Sequence, residues 1–205
     1  MQLNTIDVSC RGPTATSHWI IPDLLLSSRY PGSADSDEHQ CITRAIYDCG
    51  IEVFVNLMKP KEFTHFTPYE QQIRQYALQG YLLFFYSRKV EFISFPIGDQ
   101  FICRNDEKLL DFCLNLSKRI KEDHQKILIH CRGGHGRTGT IMSILIGILF
   151  DLEADDAMNH NFLSQQQRLR IKGRTSPMHP RQCEQVRKVL KMYKDQQTVL
   201  INRET

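Results

Sequence analysis

No positively charged start followed by an apolar stretch opens this chain, so no secretory leader is expected. A bilayer-spanning run is missing too. The longest apolar stretch, Ile141 to Phe150, is interrupted by Ser143 and Gly147 and falls short of the roughly 20 residues that a spanning helix needs. It reads instead as a buried core helix. Paired cysteine spacing is absent. The seven cysteines, at 10, 41, 49, 103, 113, 131 and 183, are odd in number and scattered, which speaks against a disulfide scaffold and for free thiols in a reducing compartment, the cytoplasm with the nucleus not excluded. Neither charge sign dominates: 26 Lys and Arg against 23 Asp and Glu leave +3, too mild to call for a nucleic-acid partner. Internal repeats and low-complexity tracts are lacking as well.

What remains is an ordinary globular composition, 41% apolar and 24% charged over 205 residues, which fits one domain able to bury a real core. Its most informative stretch runs from His130 to Gly139, HCRGGHGRTG. A strand-like run, Ile127 to Ile129, leads in, and the apolar run from Ile141 leads out as a helix. A glycine-rich loop between a strand and a helix gathers backbone N–H groups at the positive end of the helix dipole, and so forms an anion site. A cysteine on the floor of such a site is favoured as its thiolate. An arginine six positions on can fold back and grip two oxygens of a tetrahedral anion.

The rest of the pattern reads as an α/β fold, a central mostly parallel twisted sheet flanked by helices. Residues 1–17 show no periodicity and are expected to be a flexible leader. Residues 18–197 form the domain and 198–205 a tail. Short strands are expected at 19–21 and 24–26, and a helix from Ser36 with Cys41, Ile42, Ala45, Ile46 and Cys49 on its apolar positions, stopped by Gly50. Ile51 to Leu57 reads as a buried strand. A helix follows from Pro68 to Gln79, closed by Gly80. Tyr81 to Tyr86 and Glu91 to Ile97 read as two further strands, a possible hairpin around Ser87-Arg88-Lys89. Asn105 caps a helix whose face carries Leu109, Cys113, Leu116 and Ile120. Helical segments at about 153–167 and 180–196 complete the chain.

Other readings of the loop fit less well. Gly134 to Gly139 matches GxGxxG, but the second strand and acidic residue of a dinucleotide fold do not follow, and Cys131 and Arg137 would be left without a task. A Walker A loop needs a lysine before its Ser or Thr. A metal site on His130, Cys131 and His135 lacks a second ligand pair at suitable spacing, so no metal and no cofactor are called for.

HCRGGHGRTG resembles the signature loop of the protein tyrosine phosphatase superfamily, histidine-cysteine-x5-arginine-serine/threonine, through His130, Cys131, Arg137 and Thr138, with Gly134, Gly136 and Gly139 at family-typical places. The resemblance implies a cysteine-dependent phosphomonoester hydrolase. Cys131 would attack phosphorus and carry a phosphocysteine intermediate. Arg137 would bind the phosphoryl oxygens beside the loop N–H groups of Arg132, Gly133, Gly134, His135, Gly136 and Arg137. Thr138 would hydrogen-bond the sulfur and help it leave, and His130 would order the loop from behind. Family members protonate the leaving oxygen from an aspartate on an upstream loop. Asp99 fits, following the strand-like Phe92 to Ile97 and Gly98, whereas Asp106 and Glu107 sit in a helical first turn. Ser176 to Gln182, SPMHPRQ, resembles the family's segment opening the last helix, where Gln182 is expected to pack rather than react.

The chain shows no counterpart of the loop that deepens the pocket of tyrosine-specific members, so it resembles the compact, dual-specificity-like branch. Phosphotyrosine or phosphoserine/threonine in proteins is the leading substrate, and a phosphoinositide or inositol phosphate the alternative. A non-catalytic binder of phosphorylated partners is the third reading, set back by the presence of cysteine, arginine and acid together. Arg132 and His135 are expected to set selectivity at the pocket mouth, while Lys59, Lys61, Arg88 and Lys89 either add charge at the rim or are solvated surface cations.

Overall fold

The computed structural model describes residues 3–84, 88–171 and 175–204. Five strands, β1 (Ser17–Ile21), β2 (Leu25–Ser28), β3 (Val53–Asn56), β4 (Glu91–Ser94) and β5 (Ile127–His130), form one sheet in the order β1-β2-β5-β3-β4. β1 and β2 are antiparallel, and every other neighbouring pair is parallel. β1, β2, β3 and β5 are buried along their whole length. Strands covered on both faces read as continuous rather than alternating apolar runs, which is how they stand in the sequence.

Six helices cover the sheet: α1 (Ser36–Asp48), α2 (Tyr69–Phe84), α3 (Asp106–Lys121), α4 (Gly136–Phe150), α5 (Ala154–Gln165) and α6 (Pro180–Glu204). α1 packs on α2, while α3, α5 and α6 gather around α4. α4 is buried from Gly136 to Leu149, the consequence of a helix apolar on all sides. Asn105 caps α3, its side chain accepting from the Lys108 N–H, and Leu109, Cys113, Leu116 and Ile120 face the core. Among the described residues no helix is long and apolar enough to cross a membrane.

The connections from β2 and β3 turn toward the α1–α2 layer, and the one from β5 turns into α4. Such a reversal opens a crevice beyond the carboxyl ends of the strands. Ser28, His130, Asn56 and Ser94 stand level across β2, β5, β3 and β4. The segments that follow them, including Arg29, Cys131 and the stretch to Asp99, therefore emerge along one edge of the sheet.

Several local expectations are corrected. The strand expected at 81–86 is helical as far as Phe84, because α2 continues through Gly80; the remainder, with the turn at Ser87, lies outside the described residues. A continuous apolar run does not by itself separate strand from buried helix, and extending an existing helix gains a hydrogen bond with each residue. β4 pairs in parallel with β3 instead of forming a hairpin. α1 starts at Ser36 as expected, behind an Asp35 cap, but it buries His39, Thr43 and Ile46 while Cys41 is exposed. Both stripes have helical spacing; the contact of Thr43 Oγ1 with Tyr76 Oη at 3.4 Å shows which one α2 covers. Within the expected leader, Val8–Cys10 form a 3-10 turn that buries Cys10, and Arg11 bridges to His18. Where a tail was expected from 198, α6 runs on to Glu204.

Candidate active site

β5 ends at His130 and sets Cys131, only 3% exposed, at the floor of a cavity of about 600 Å³. Three residues on, the Gly134 N–H turns back and donates to Cys131 Sγ at 3.2 Å. Gly134 has φ +71°, and a Cβ there would lie 2.6 Å from the Ser28 carbonyl oxygen. Left-handed backbone and close approach both require glycine at this point. His135 then serves as the N-cap of α4, and Gly136 and Arg137 begin the helix while lining the cavity. Their N–H groups belong to the first turn, which has no intrahelical acceptors, so they are free to meet an anion at the positive helix end.

The loop is braced from below and behind. The guanidinium of Arg168, 4% exposed, donates to His18 Nδ1 at 2.9 Å, Ser27 Oγ at 3.2 Å and the Gly134 carbonyl at 3.0 Å. Burial lowers its pKa to about 10 against the opposing pull of Cys131, which leaves a fixed cation under the sulfur at neutral pH. His130 is fully buried and burial drops its pKa to about 3. Its Nδ1 lies 3.4 Å from the Cys131 carbonyl oxygen, which only accepts, so Nδ1 carries the proton and Nε2 accepts from the Tyr69 hydroxyl at 2.8 Å. Ser176 Oγ donates to the His135 carbonyl at 2.9 Å and is itself held by Asn161 Nδ2 at 3.0 Å.

Arg137 is 2% exposed, and both of its terminal nitrogens are engaged. Its two terminal nitrogens donate to Glu62 Oε1 and Oε2 at 2.7 and 2.9 Å, a bidentate pair. One nitrogen also reaches the Ile97 carbonyl at 3.0 Å, and the other Asp99 Oδ1 at 2.8 Å. Glu62 comes from a 3-10 turn over Pro60–His65 that Pro60 opens, and its Oε1 also accepts the Lys59 N–H at 2.9 Å. Burial pushes the Glu62 carboxyl up, but the Arg137 and Lys59 hydrogen bonds outweigh it and hold the pKa below the ordinary value.

Asp99 stands on a turn beyond β4, with its side chain 47% exposed. Gln100 beside it has φ 60°. Gln182, 1% exposed, ties this turn to the start of α6. Its Nε2 donates to the Phe101 carbonyl at 3.3 Å, and its Oε1 accepts the Met178 and His179 N–H groups at 3.2 and 3.1 Å. The geometry thus joins a cysteine in an N–H-lined loop, an arginine aimed by a carboxylate, and a second carboxylate at the cavity edge.

The model of a phosphatase family, described as PTP-SAK, the DSP-PTPase phosphatase domain of a Swiss Army Knife protein, matches residues 14–189. The chain belongs to this family. The 197R protein of Invertebrate iridescent virus 6, named as a candidate tyrosine phosphatase, is 31% identical over 123 residues, which are 58% of this chain and 39% of that protein. The 067L protein of Invertebrate iridescent virus 3, named likewise, is 34% identical over 62 residues, 29% of this chain and 26% of its own length. The chain thus spans well under half the length of these curated relatives. Among solved structures, the active form of Tk-PTP superposes with a TM-score of 0.56 at 21% identity, covering 82% of this chain and 92% of that one. Kinase associated phosphatase does so with 0.55 at 19% identity, covering 79% and 83%. These likenesses place the fold among compact dual-specificity-like phosphatases.

Within that family fold, Cys131, Arg132, Gly133, His135, Gly136, Arg137 and Asp99 all line the one cavity. Gly134 has a different duty, its N–H being committed to the sulfur. The Thr138 hydroxyl is buried and, among the described residues, makes no hydrogen bond, to Cys131 Sγ or otherwise. His135 is 7% exposed and its Nδ1 is hydrogen-bonded to Gln165 Nε2, so it braces the loop rather than marking the mouth. Arg88 lies over the Tyr47 ring, 4.6 Å from its centroid, and adds no charge at the rim. Beyond Arg132 and Arg137, the positive lining comes from Arg29, Arg168 and Arg170, which the sequence did not single out. Glu62 and Arg168 were missed for the same reason: each acts across a distance in sequence that no spacing rule covers. A Pro-initiated turn with an acid at its third position was the one signal available for Glu62.

Proposed function

We propose that this chain hydrolyses phosphomonoesters on tyrosine, serine or threonine in proteins through a phosphocysteine intermediate. The observation that carries this reading is the Cys131–Arg137–Asp99 constellation, with Arg137 bonded at once to Glu62 and Asp99 at the mouth of an N–H-lined loop. The Cys131 thiolate attacks phosphorus as the phosphorus–oxygen bond to the substrate breaks, and Asp99 gives its proton to the departing oxygen. Water then attacks the phosphocysteine, Asp99 takes up its proton, and the sulfur–phosphorus bond breaks to release phosphate. Arg137 and the loop N–H groups hold the phosphoryl oxygens throughout, in positions set before the substrate arrives. The Thr138 hydroxyl, buried with no other partner, is available to the sulfur as negative charge returns to it. His130 and Arg168 act as supports.

Phe66 lines the cavity with its ring 4.4 Å from that of Tyr30, an aromatic wall suited to an aryl ester. The second reading, a phosphoinositide or inositol phosphate, draws on the five arginines in the cavity wall. The structure of PTPMT1 in complex with PI(5)P, a neighbour of TM-score 0.58 and 11% identity, shows such a ligand on a protein of this fold. A reducing compartment such as the cytoplasm suits a mechanism that needs a free thiol, and all seven cysteines are free.

The test is release of phosphate from para-nitrophenyl phosphate and from phosphopeptides. Wild type should turn over, and Cys131→Ser should lose at least ~10⁴-fold, in line with removal of a nucleophile. Binding without turnover by wild type would leave only the non-catalytic reading.

A further inference from the structure

The turn that carries Asp99 is anchored at its far end by a residue outside the cavity. The Phe101 N–H donates to the Gly98 carbonyl at 3.0 Å and closes the turn itself. Beyond it, Gln185 of α6, 4% exposed, grips the backbone of Cys103 with both ends of its amide. Its Oε1 accepts the Cys103 N–H at 3.0 Å, and its Nε2 donates to the Cys103 carbonyl at 2.8 Å. One side chain thus takes the place of a neighbouring strand and satisfies the donor and acceptor of a residue that belongs to no sheet. Gln182, three residues earlier on the same face of α6, holds the Phe101 carbonyl.

The orientation of the Gln185 amide is itself fixed. Its Nε2 also donates to Asp106 Oδ1 at 2.6 Å, and an ionised carboxylate there can only accept. Asp106 stands in the first turn of α3, and Lys188 Nζ holds its Oδ2 at 2.6 Å. Burial pushes the Asp106 carboxyl up, but the hydrogen bonds from Lys188 and Gln185 outweigh it and hold the pKa below the ordinary value. Neither Gln185 nor Asp106 lines the cavity, whereas Asp99 and Gln100 do. Any influence of this pair on the reaction therefore passes through the acid turn.

We propose that Gln185, aimed by Asp106, is a positioning residue for the acid: it fixes the post from which the Asp99 turn reaches into the cavity. This rests on the phosphatase reading, with Asp99 as the acid, and deepens it. Charge draws the Asp99 carboxylate to Arg137, but a proton donor also needs a stationary chain behind it to hold its distance from the leaving oxygen. Gln185 supplies that stationary point four residues on, through backbone hydrogen bonds that do not depend on the side chain at 103. The Phe101 and Ile102 side chains are exposed and offer little packing in its stead. Precision matters here because a misplacement of about 1 Å can cost on the order of 10²-fold in rate.

The test compares two esters of the same size: para-nitrophenyl phosphate, with an activated leaving group, and phenyl phosphate, whose leaving oxygen is about as basic as that of tyrosine, pKa ~10. Gln185→Leu removes the clamp at similar volume. Its kcat on phenyl phosphate should fall roughly tenfold or more with KM nearly unchanged, while the activated ester stays within about twofold of wild type and reports that the variant is folded. In an Asp99→Asn background the same substitution should cause no further loss on phenyl phosphate, because the proton it helps to place is gone. Asp106→Asn keeps an acceptor for Gln185 Nε2 and should retain the wild-type ratio of the two esters, whereas Asp106→Ala should lower the relative rate on phenyl phosphate. Equal losses on both esters, or losses that add to those of Asp99→Asn, would make Gln185 a residue of the fold alone and overturn the proposal while the phosphatase reading stands. If Gln185→Leu does not fold, Asp106→Ala carries the test, and an unchanged ratio of the two esters there overturns it. Release from neither ester by wild type would overturn the phosphatase reading itself.

Discussion

The nucleophile loop and the acid turn sit at the same cavity, but they are held in different ways. Cys131 to Thr138 is fixed from every side. Gly134 abuts β2, Arg168 holds the Gly134 carbonyl, Ser176 holds that of His135, and His130 is locked to Tyr69. Asp99 has a half-exposed side chain, and its carboxylate is hydrogen-bonded to Arg137. Gln182 reaches only the neighbouring backbone, at Phe101, whose own side chain is 67% exposed. The difference follows from their tasks. An oxyanion-binding loop works by being in place before charge develops. An acid must meet a leaving oxygen whose position varies with substrate, so placement by charge rather than by packing suits it.

The largest effect that tests this contrast is Asp99→Asn. Turnover should fall by ~10²–10⁴-fold on a phosphate ester whose leaving group has a high pKa, and much less on an activated aryl phosphate, with the unfolding midpoint nearly unchanged. Equal loss on both esters would put the acid elsewhere. Gly134→Ala should behave in the opposite way. A Cβ 2.6 Å from the Ser28 oxygen at φ +71° should cost ~1–3 kcal/mol in chemical denaturation and lower turnover on both esters alike, because the loop is displaced for every substrate.

A smaller effect concerns the foundation of the loop. His18 and His130 are buried, and burial depresses both pKa values, His130 to about 3. The unfolded chain takes up protons near the ordinary value of 6.5 while the fold refuses them, so stability must rise with pH in this range and decline as pH falls below 6.5. Each histidine contributes about 1.4 kcal/mol per pH unit below that point, down to its folded pKa. Denaturation curves at pH 6.5 and 5.5 should show the loss, and His130→Gln should reduce its slope. A flat profile would mean that the loop does not rest on neutral histidines.

Last, Glu62→Gln keeps the shape but removes the charge that aims Arg137. It should reduce kcat/KM by about tenfold, in the range of one charge-assisted hydrogen bond, and on both esters. A loss confined to the poor leaving group would instead link Glu62 to proton transfer.

Much of the fold was legible because its signals were local. The Asn105 cap and the stripe from Leu109 to Ile120 lie within one helix, and α3 formed as they indicate. The apolar run after Arg137 was long enough to read as a core helix, and it forms one. Legibility failed where two local readings were equally good. Tyr81 to Phe84 suits a strand by residue type and a helix by continuation from Tyr69, and the helix prevailed. Two stripes of α1 have the same period, and only packing against α2 chose His39, Thr43 and Ile46 over Cys41.

Returning to the site, the sequence alone determined the spacing of Cys131 and Arg137 and the glycines between them, since one short loop must bring a nucleophile, N–H groups and a guanidinium together. Tertiary structure decided what surrounds that loop. Glu62, Arg168, Ser176 and Arg29 come from four separate segments. Their partnership depends on strand order and on which helix covers which face, and these are set by burial of the whole chain rather than by any pattern within a segment.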